Sequence, residues 1–166
     1  MDLFLDRLES PLGTILLVTD DAALRALDFV GYEERMQRLL KLQYGAASVR
    51  ERQETLGIKS RLHDYFQGYL RSLDEITVRT EGTHFQQEVW AELRKIPAVT
   101  TISYGELAAR MGRPKANRAV GLANGSNPVA IIVPCHRVIG STGALTGYGG
   151  GLERKRRLLE HEAAHA

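Results

Sequence analysis

The sequence predicts an α+β protein. A small N-terminal domain, with an antiparallel sheet and helices, precedes a mostly helical C-terminal domain that contains a helix-turn-helix. Three observations support this fold class. The first thirty residues alternate apolar and polar side chains in short runs, which is typical of strands. Apolar residues at helical spacing follow in most later segments. The chain has 166 residues, 43% of them hydrophobic, which is enough to bury a sizeable core.

The N-terminal domain is predicted to span residues 1–76. Its three strands form an antiparallel meander because the turn segments SPLG and DDAA separate them. The strands are LFLDRLE, TILLVT and LRALDFV. Two helices, in residues 32–44 and 58–72, are expected to cover this sheet. Their helically spaced positions are Met36, Leu39, Leu40 and Leu42, then Leu62, Tyr65, Phe66 and Tyr69. The segment GAASVRERQETLG between them is predicted to be a loop or a frayed helix end.

A polar segment at residues 77–84 is predicted to link this domain to the second one, residues 85–166. The first helix of the second domain is FQQEVWAELRKI, which ends before Pro97 because the residue before a proline is disfavoured in a helix. Its apolar face consists of Phe85, Val89, Leu93 and Ile96.

The stretch SYGELAARMGRPKANRAVGLANG predicts a helix-turn-helix, although many helical hairpins share this pattern. Ser103 is expected to cap the first helix, with Glu106 three residues later completing a capping box. The turn falls at residues 112–114. The second helix is expected at about residues 115–124 and ends at Gly125.

The rest of the chain closes the second domain. PVAIIVP, residues 128–134, is predicted to be a short buried strand, and VIGSTGALTGYGGG is predicted to be a glycine-rich hairpin or loop. An amphipathic helix, LERKRRLLEHEAA, follows with Leu152, Leu158 and Leu159 facing inward.

The net charge of +2 conceals an asymmetry between the two halves of the chain. Residues 1–82 carry 11 basic and 14 acidic residues, whereas residues 83–166 carry 11 basic and 6 acidic residues. The basic half indicates an anionic partner, with nucleic acid as the first candidate. An unevenly charged solvated surface is the alternative.

Composition excludes several classes of protein. The single cysteine cannot form an internal disulfide and favours a reducing, cytoplasmic location. No apolar run approaches the roughly 20 residues of a membrane helix, and the first residues lack a signal-peptide layout. The five histidines show no metal-ligand spacing, so we expect no metal and no cofactor.

The second helix of the predicted helix-turn-helix consists mostly of small residues. Its sequence KANRAVGLANG is rich in Ala, Gly and Asn, and Arg118 is its long central side chain. Helices that read major-groove base edges carry several long polar side chains. Small residues instead allow a close approach to another surface. That surface is either another helix, with Arg118 at its rim, or a DNA minor groove contacted mainly through its backbone.

The only cysteine, Cys135, lies in the segment VAIIVPCHRVIG. A lone cysteine in an aliphatic strand is usually inert, and a reactive one needs a lowered pKa or an adjacent base. His136 is adjacent in sequence, but neighbours on a strand face opposite sides. Contact therefore requires a turn at Pro134 or a bridging water. The candidates for the acid that orients His136 are Glu160, Glu162 and Glu153.

These segments resemble the O6-alkylguanine-DNA alkyltransferases, also called methylated-DNA–protein-cysteine methyltransferases. The PCHRV core, preceded by NP, is the most specific match. Other similar segments follow in family order: SPLG, FQQEVWAELRKIP, SYGELAARMGRP, NRAVGLANGSNPVAIIVPCHRVIG and GYGGGLERKRRLLEHE. The resemblance is close over residues 85–162 and loose over residues 1–84. Within the family, the chain resembles the short, stand-alone bacterial form.

The resemblance implies roles for five residues that match the family pattern. Cys135 is the expected nucleophile, His136 the base that acts through a water, and Glu162 the acid that orients His136. Asn127 is expected to brace the turn before the cysteine. Tyr104 is expected to hydrogen-bond the base and crowd a DNA phosphate to promote flipping, and a further hypothesis makes it the proton donor to the departing guanine.

The resemblance also implies a DNA-binding face and a base pocket. The expected DNA-binding residues are Arg118, which fills the space left in the duplex, with Tyr104, Ala119, Gly121 and Ala123. Tyr148 is the expected pocket wall, and the carbonyl of Val138 and the amide of Gly149 are expected to read the base. Some family members have a serine at the position of Gly149, which bears on pocket width and on the alkyl groups accepted.

The implied function is direct reversal of DNA damage. The base would flip through the minor groove, and the alkyl group of O6-alkylguanine in double-stranded DNA would move irreversibly to Cys135. Each molecule would act once, as a monomer in solution; O4-alkylthymine as a substrate and cooperative binding on DNA are left open. Two alternatives are a non-catalytic lesion-binding protein, against which the thiol argues, and a thiol hydrolase that acts on small esters.

Overall fold

The computed structural model describes residues 1–166 and has the predicted α+β fold class. Its N-terminal sheet contains β1 (Asp2–Ser10), β2 (Gly13–Thr19), β3 (Leu24–Phe29) and β4 (Ser48–Glu51), in the order β3-β2-β1-β4. The pairs β1–β2 and β2–β3 are antiparallel, as predicted from the two intervening turns.

The fourth strand corrects the expected loop between the first two helices. β4 pairs parallel with β1, so the sheet is mixed rather than purely antiparallel. All four residues of β4 are exposed. The strand therefore has no apolar alternation, and its place in the sheet depends on backbone hydrogen bonds that hydrophobic periodicity does not report.

The two N-terminal helices are α1 (Glu33–Tyr44) and α2 (Ile58–Phe66). Met36 and Leu40 of α1 pack on a small cluster that includes Leu16 and Val18 of β2. The alternate residues of β2 belong to a larger cluster shared with α2. β2 is therefore buried on both faces.

The second N-terminal helix ends earlier than predicted. α2 stops at Phe66, two residues before Gly68, which adopts φ 109°, and a short 3₁₀ helix follows at Leu70–Leu73. Tyr69 is consequently 73% exposed rather than in the core. Leu42, predicted to face inward from α1, is also exposed.

The second half of the chain is mostly helical. Its helices are α3 (His84–Leu93), α4 (Tyr104–Arg110), α5 (Asn117–Gly125) and α6 (Leu152–Ala164). Two short parallel strands, β5 (Ile102–Ser103) and β6 (Val138–Ile139), link the start of α4 to the segment after Cys135. A 3₁₀ turn occupies Cys135–Arg137.

The helix-turn-helix consists of α4 and α5. Ser103 caps α4, since its hydroxyl accepts a hydrogen bond from the Glu106 amide at 3.0 Å. The expected capping box is incomplete because the Glu106 carboxylate contacts the Ser103 hydroxyl, at 3.4 Å, rather than the Ser103 amide. A complete capping box occurs instead at the start of α3, between Thr83 and Gln86.

The apolar segment at residues 128–134 is a buried turn and not the predicted strand. It pairs with β3 only at Val129, opposite Leu27, and Ile131 adopts a left-handed conformation with φ 71°. A short apolar run does not distinguish a strand from a buried turn. The contact with Leu27 joins the two halves of the chain, and one cluster of 29 buried residues contains side chains from both.

The closing helix α6 buries a different face from the predicted one. Leu158 is fully buried, but Leu152 is 49% exposed and Leu159 is only partly buried. Lys155 and Glu162 occupy the inward stripe with Leu158. A charged stripe on the inner face of a helix indicates a buried polar site.

The predicted linker runs along the edge of the N-terminal sheet. The Leu24 amide donates to the Thr77 carbonyl at 2.9 Å, and the Arg79 amide donates to the Leu24 carbonyl at 3.1 Å. The division into residues 1–76, 77–84 and 85–166 stays a prediction. None of the helices is both long enough and apolar enough to cross a membrane.

The capping box of α3 gives a test of local stability. Replacing Thr83 with Ala removes the hydroxyl that accepts from the Gln86 amide, so we expect a loss of about 1 kcal/mol of unfolding free energy in urea. The matched control is Thr101→Ala, at an exposed position outside the helices, which should change stability by less than about 0.5 kcal/mol. Equal losses in the two variants would contradict this assignment of the cap.

Candidate active site

A buried carboxylate organises the site around Cys135. Glu162 of α6 is 1% exposed, and its two oxygens accept hydrogen bonds from three side chains. Tyr65 Oη lies 2.6 Å and His136 Nε2 2.8 Å from Glu162 Oε2. Arg137 donates from Nε to Oε1 at 2.9 Å and from Nη2 to Oε2 at 3.0 Å. These four residues are called the Glu162 cluster below.

The cluster fixes the ionisation of both Glu162 and His136. Burial alone would raise the pKa of Glu162, but the hydrogen bonds from His136 and Arg137 and the positive charge of Arg137 hold it well below its usual value. Burial lowers the pKa of His136, and the positive charges of Arg137 and Lys155 lower it further, while Glu162 opposes this shift. At neutral pH the pair is therefore a carboxylate and a neutral imidazole.

The same contacts determine which nitrogen of His136 is basic. A carboxylate oxygen accepts only, so Nε2 must carry the proton that points at Glu162. Nδ1 then has the lone pair, and this buried atom has no hydrogen-bond partner in the protein. The imidazole thus presents a free basic nitrogen.

Cys135 lies at the start of a 3₁₀ turn, not on a strand, so the objection that strand neighbours face opposite sides does not apply. The thiol is buried, and burial raises its pKa, although the Asn127 side chain and the charge of Lys155 act in the opposite direction. Since the pKa is raised, the thiol is protonated at neutral pH. It needs a base to become a nucleophile.

Asn127 braces the turn that precedes the cysteine. Its side-chain Nδ2 donates to the Val133 carbonyl at 2.8 Å, and its Oδ1 accepts from the Val129 amide at 3.0 Å. Both ends of the buried turn at residues 128–134 are therefore tied to one side chain. The geometry matches the expected place of Asn127, and its role in the reaction stays a prediction.

Lys155 is a buried cation that the sequence reasoning missed. Its ammonium donates to the carbonyls of Val138, at 2.6 Å, and Thr146, at 2.7 Å. Burial lowers its pKa to about 8, although a negative charge on Cys135 would raise it. Its spacing of three residues from Leu158 and seven from Glu162 places it on their helix face, and this spacing is readable from the sequence.

The expected base-pocket residues all follow the Cys135 turn in the sequence. Val138 is fully buried in β6, and Tyr148 has a buried hydroxyl without a partner, whose pKa burial raises well above its usual value. A side chain at Gly149 would meet the guanidinium of Arg35, at 2.5 Å from an added Cβ. Arg35 is thus a pocket neighbour from α1 that the sequence reasoning missed.

The DNA-binding face expected on α5 is only partly exposed. Arg118 and Ala119 are exposed, and Gly121 is partly buried. Ala123 is a correction: it is 3% exposed, and its carbonyl accepts a hydrogen bond from Trp90 Nε1 at 2.9 Å. Leu122, one helical turn after Arg118, is instead 70% exposed and was not predicted.

Tyr104 connects the helix-turn-helix to the loop after β6. It is the first residue of α4, and its hydroxyl donates to the Thr146 carbonyl at 3.2 Å. Lys155 donates to the same carbonyl. Thr146 therefore links Tyr104 to the buried end of the site.

The alternative acids are excluded as partners of His136 by their positions. Glu153 and Glu160 are exposed and both pair with Arg156 on the outer face of α6. No group of three or more His, Cys, Asp or Glu side chains is arranged to hold a metal ion. A buried cysteine next in sequence to an oriented neutral histidine, in a chain that also contains a helix-turn-helix, is the arrangement expected of a DNA-binding protein with a cysteine nucleophile.

Comparison with known proteins identifies the family within this class. Residues 5–80 match the model of the 6-O-methylguanine DNA methyltransferase ribonuclease-like domain, and residues 84–164 match that of the DNA-binding domain. The methylated-DNA–protein-cysteine methyltransferase of Salmonella typhimurium is 47% identical over 160 residues, which cover 95% of this chain and 94% of the relative. That of Methanosarcina acetivorans is 45% identical over 156 residues, covering 94% and 96%.

Solved structures agree with this assignment. A variant of Mycobacterium tuberculosis OGT has a TM-score of 0.83 and 42% identity, with 99% of this chain and 94% of that chain covered. The OGT of the same organism in complex with DNA has a TM-score of 0.79 and 40% identity, covering 100% and 95%. The chain belongs to the methylated-DNA–protein-cysteine methyltransferase family.

Removing the charge of Glu162 tests the electrostatics of the Glu162 cluster. Glu162→Gln leaves Arg137 buried without its carboxylate, so we expect a loss of about 3 kcal/mol of unfolding free energy at pH 7. Because folding lowers the pKa of Glu162, its stabilising effect is present above the ordinary value of 4.5 and is lost as the pH falls below it. The gap between wild type and variant should shrink over that range.

Glu160→Gln is the matched control on the exposed face of the same helix. An exposed pair contributes at most about 1 kcal/mol. The measurement is urea unfolding of the three proteins at several pH values. A gap between wild type and Glu162→Gln that is no larger than that of the control would contradict the assignment.

Proposed function

We propose that this protein reverses alkylation damage by moving the alkyl group from O6 of guanine in duplex DNA to Sγ of Cys135. The observation that carries the proposal is the buried Cys135 next in sequence to His136, whose imidazole is neutral because it is buried and is oriented by Glu162 so that Nδ1 is free. Membership of the family and the likeness to a DNA-bound relative support DNA as the partner.

The chemical step follows from the protonation states. A water carries the thiol proton of Cys135 to Nδ1 of His136, and Glu162 stabilises the imidazolium that forms. The thiolate attacks the alkyl carbon, so an S–C bond forms while the C–O6 bond breaks. The electron pair of that bond returns to the guanine, which takes a proton from Tyr104. The proton on His136 then restores Tyr104 through solvent.

The product explains why each molecule acts once. A thioether has no leaving group that water can displace, so Cys135 is not regenerated. The protein is therefore consumed in equal amount with the lesion. This stoichiometry separates the proposed transfer from hydrolysis of small esters, which would regenerate the thiol.

The substrate atom must leave the duplex to reach a buried thiol. Extruding a nucleotide costs a few kcal/mol of unstacking. The small residues of α5 permit close approach to the minor groove, and Arg118 offsets part of the cost by occupying the vacated space. In the pocket, Tyr148 packs on the base, while the Val138 carbonyl and the Gly149 amide read its edge.

We propose that the protein acts as a monomer, in the cytoplasm, on double-stranded DNA that contains alkylated guanine. The binding is expected to weaken with salt because basic residues displace counterions from the phosphates.

Replacing the nucleophile tests the proposal directly. Cys135→Ser should abolish loss of the methyl group from a duplex with one radiolabelled O6-methylguanine, because a hydroxyl is far less acidic than a thiol. DNA affinity should stay within about twofold, since Cys135 is buried and the substitution changes one atom. Retained methyl transfer in this variant would overturn the proposal.

Arg118 gives a second test because its proposed role exists only in duplex DNA. In Arg118→Ala, the single-turnover rate on duplex should fall about tenfold, while the rate on single-stranded DNA, where no vacancy opens, should not change. Arg71→Ala, an exposed arginine outside the helix-turn-helix, is the control. An equal loss on both substrates would show that Arg118 serves another purpose.

A further inference from the structure

The hydroxyl of Tyr65 reaches the site from the N-terminal half of the chain. Tyr65 belongs to α2 and is fully buried. Its Oη lies 2.6 Å from Glu162 Oε2, and this is the oxygen that also accepts from His136 Nε2 at 2.8 Å. A residue far from the Cys135 segment in sequence thus shares one carboxylate oxygen with the proposed base.

In this contact the Tyr65 hydroxyl is the hydrogen-bond donor and the Glu162 carboxylate is the acceptor. Burial and the negative charge of Glu162 raise the pKa of Tyr65 well above its usual value, so the phenol keeps its proton. Glu162 is ionised and can only accept. The hydroxyl therefore competes with His136 Nε2–H for the electron density of Oε2.

A second contact holds α2 against the same turn of α6. The Tyr65 carbonyl lies 2.7 Å from Nε2 of His161, the residue before Glu162, and the two rings are 5.1 Å apart. The Tyr65 ring also packs edge-on against Phe66. The orientation of the phenol, and with it the position of the carboxylate, is fixed from several sides.

We propose that Tyr65 is a positioning residue for alkyl transfer, whose hydroxyl holds the Glu162 carboxylate in place against His136. This inference rests on the proposed function. It gives the N-terminal half of the chain a part in the reaction, because α2 supplies one of the three side chains that hold the carboxylate.

The arrangement predicts how the pH dependence depends on Tyr65. The charged and titratable groups facing His136 and Glu162 are Tyr65 on α2, Cys135 and Arg137 on the 3₁₀ turn, Lys155 and His161 on α6, and Tyr148 in the loop. Without the Tyr65 hydroxyl, more of the carboxylate charge falls on His136. The pKa of His136 should rise, and the rate should begin to fall at a higher pH on acidification.

The experiment measures single-turnover methyl transfer from an O6-methylguanine duplex between pH 5 and 9. In Tyr65→Phe, which keeps the ring, we expect the plateau rate to fall about three- to tenfold and the acid midpoint to move upward by about half to one pH unit. DNA affinity should not change. Tyr69→Phe, an exposed tyrosine four residues later, is the control and should match wild type. Trp90 fluorescence verifies folding at each pH.

A double-variant cycle shows whether Tyr65 acts through Glu162. If it does, adding Tyr65→Phe to Glu162→Gln lowers the rate by less than about twofold further. A full additional loss, or a lower plateau with an unshifted midpoint, would reduce Tyr65 to a packing residue and overturn the inference. Profiles of Tyr65→Phe and wild type that coincide would also overturn it and leave the proposed function standing. Failure of wild type to transfer would overturn both.

Discussion

The buried negative charge of Glu162 is the constraint on which the rest of the site depends. A carboxylate excluded from water is unfavourable unless donors surround it, and Tyr65, His136 and Arg137 supply them. Each donor comes with a consequence. His136 is held in one tautomer, Arg137 joins the Cys135 turn to α6, and Tyr65 brings α2 into the site. The Glu162 carboxylate therefore orients the proposed base, ties the Cys135 turn to α6 and contributes to the contact between the two halves of the chain.

The members of the Glu162 cluster lie on α2, on α6 and on the 3₁₀ turn at Cys135–Arg137. Asn127 ties down the buried turn before Cys135, and Lys155 joins the carbonyls of Val138 and Thr146 behind it. Burial keeps Cys135 protonated until a base acts, so the thiol is protected from indiscriminate reaction. The same burial requires the substrate base to leave the duplex, and the exposed residues of α5 provide a surface that DNA can contact.

Sequence periodicity predicted β1–β3 and most helices because their apolar patterns are regular. It did not predict β4, whose exposed residues carry no pattern, and it misassigned residues 128–134, where an apolar run fits a strand and a buried turn equally well. The sequence alone singled out Cys135 and offered Glu153, Glu160 and Glu162 as candidate acids, and the resemblance selected Glu162 among them. Tyr65 was predicted only as a packing residue, since a hydrogen bond across half the chain leaves no local signal.

Transfer to Cys135 can be observed in the intact mass of the protein after reaction with a duplex containing one O6-methylguanine, followed by peptide mapping. We expect one added methyl group on the peptide carrying Cys135, in equal amount with the repaired guanine and without further turnover. An unchanged mass with retained DNA binding would contradict it and favour a protein that only recognises lesions. A methyl group on another residue would contradict the assignment of the nucleophile.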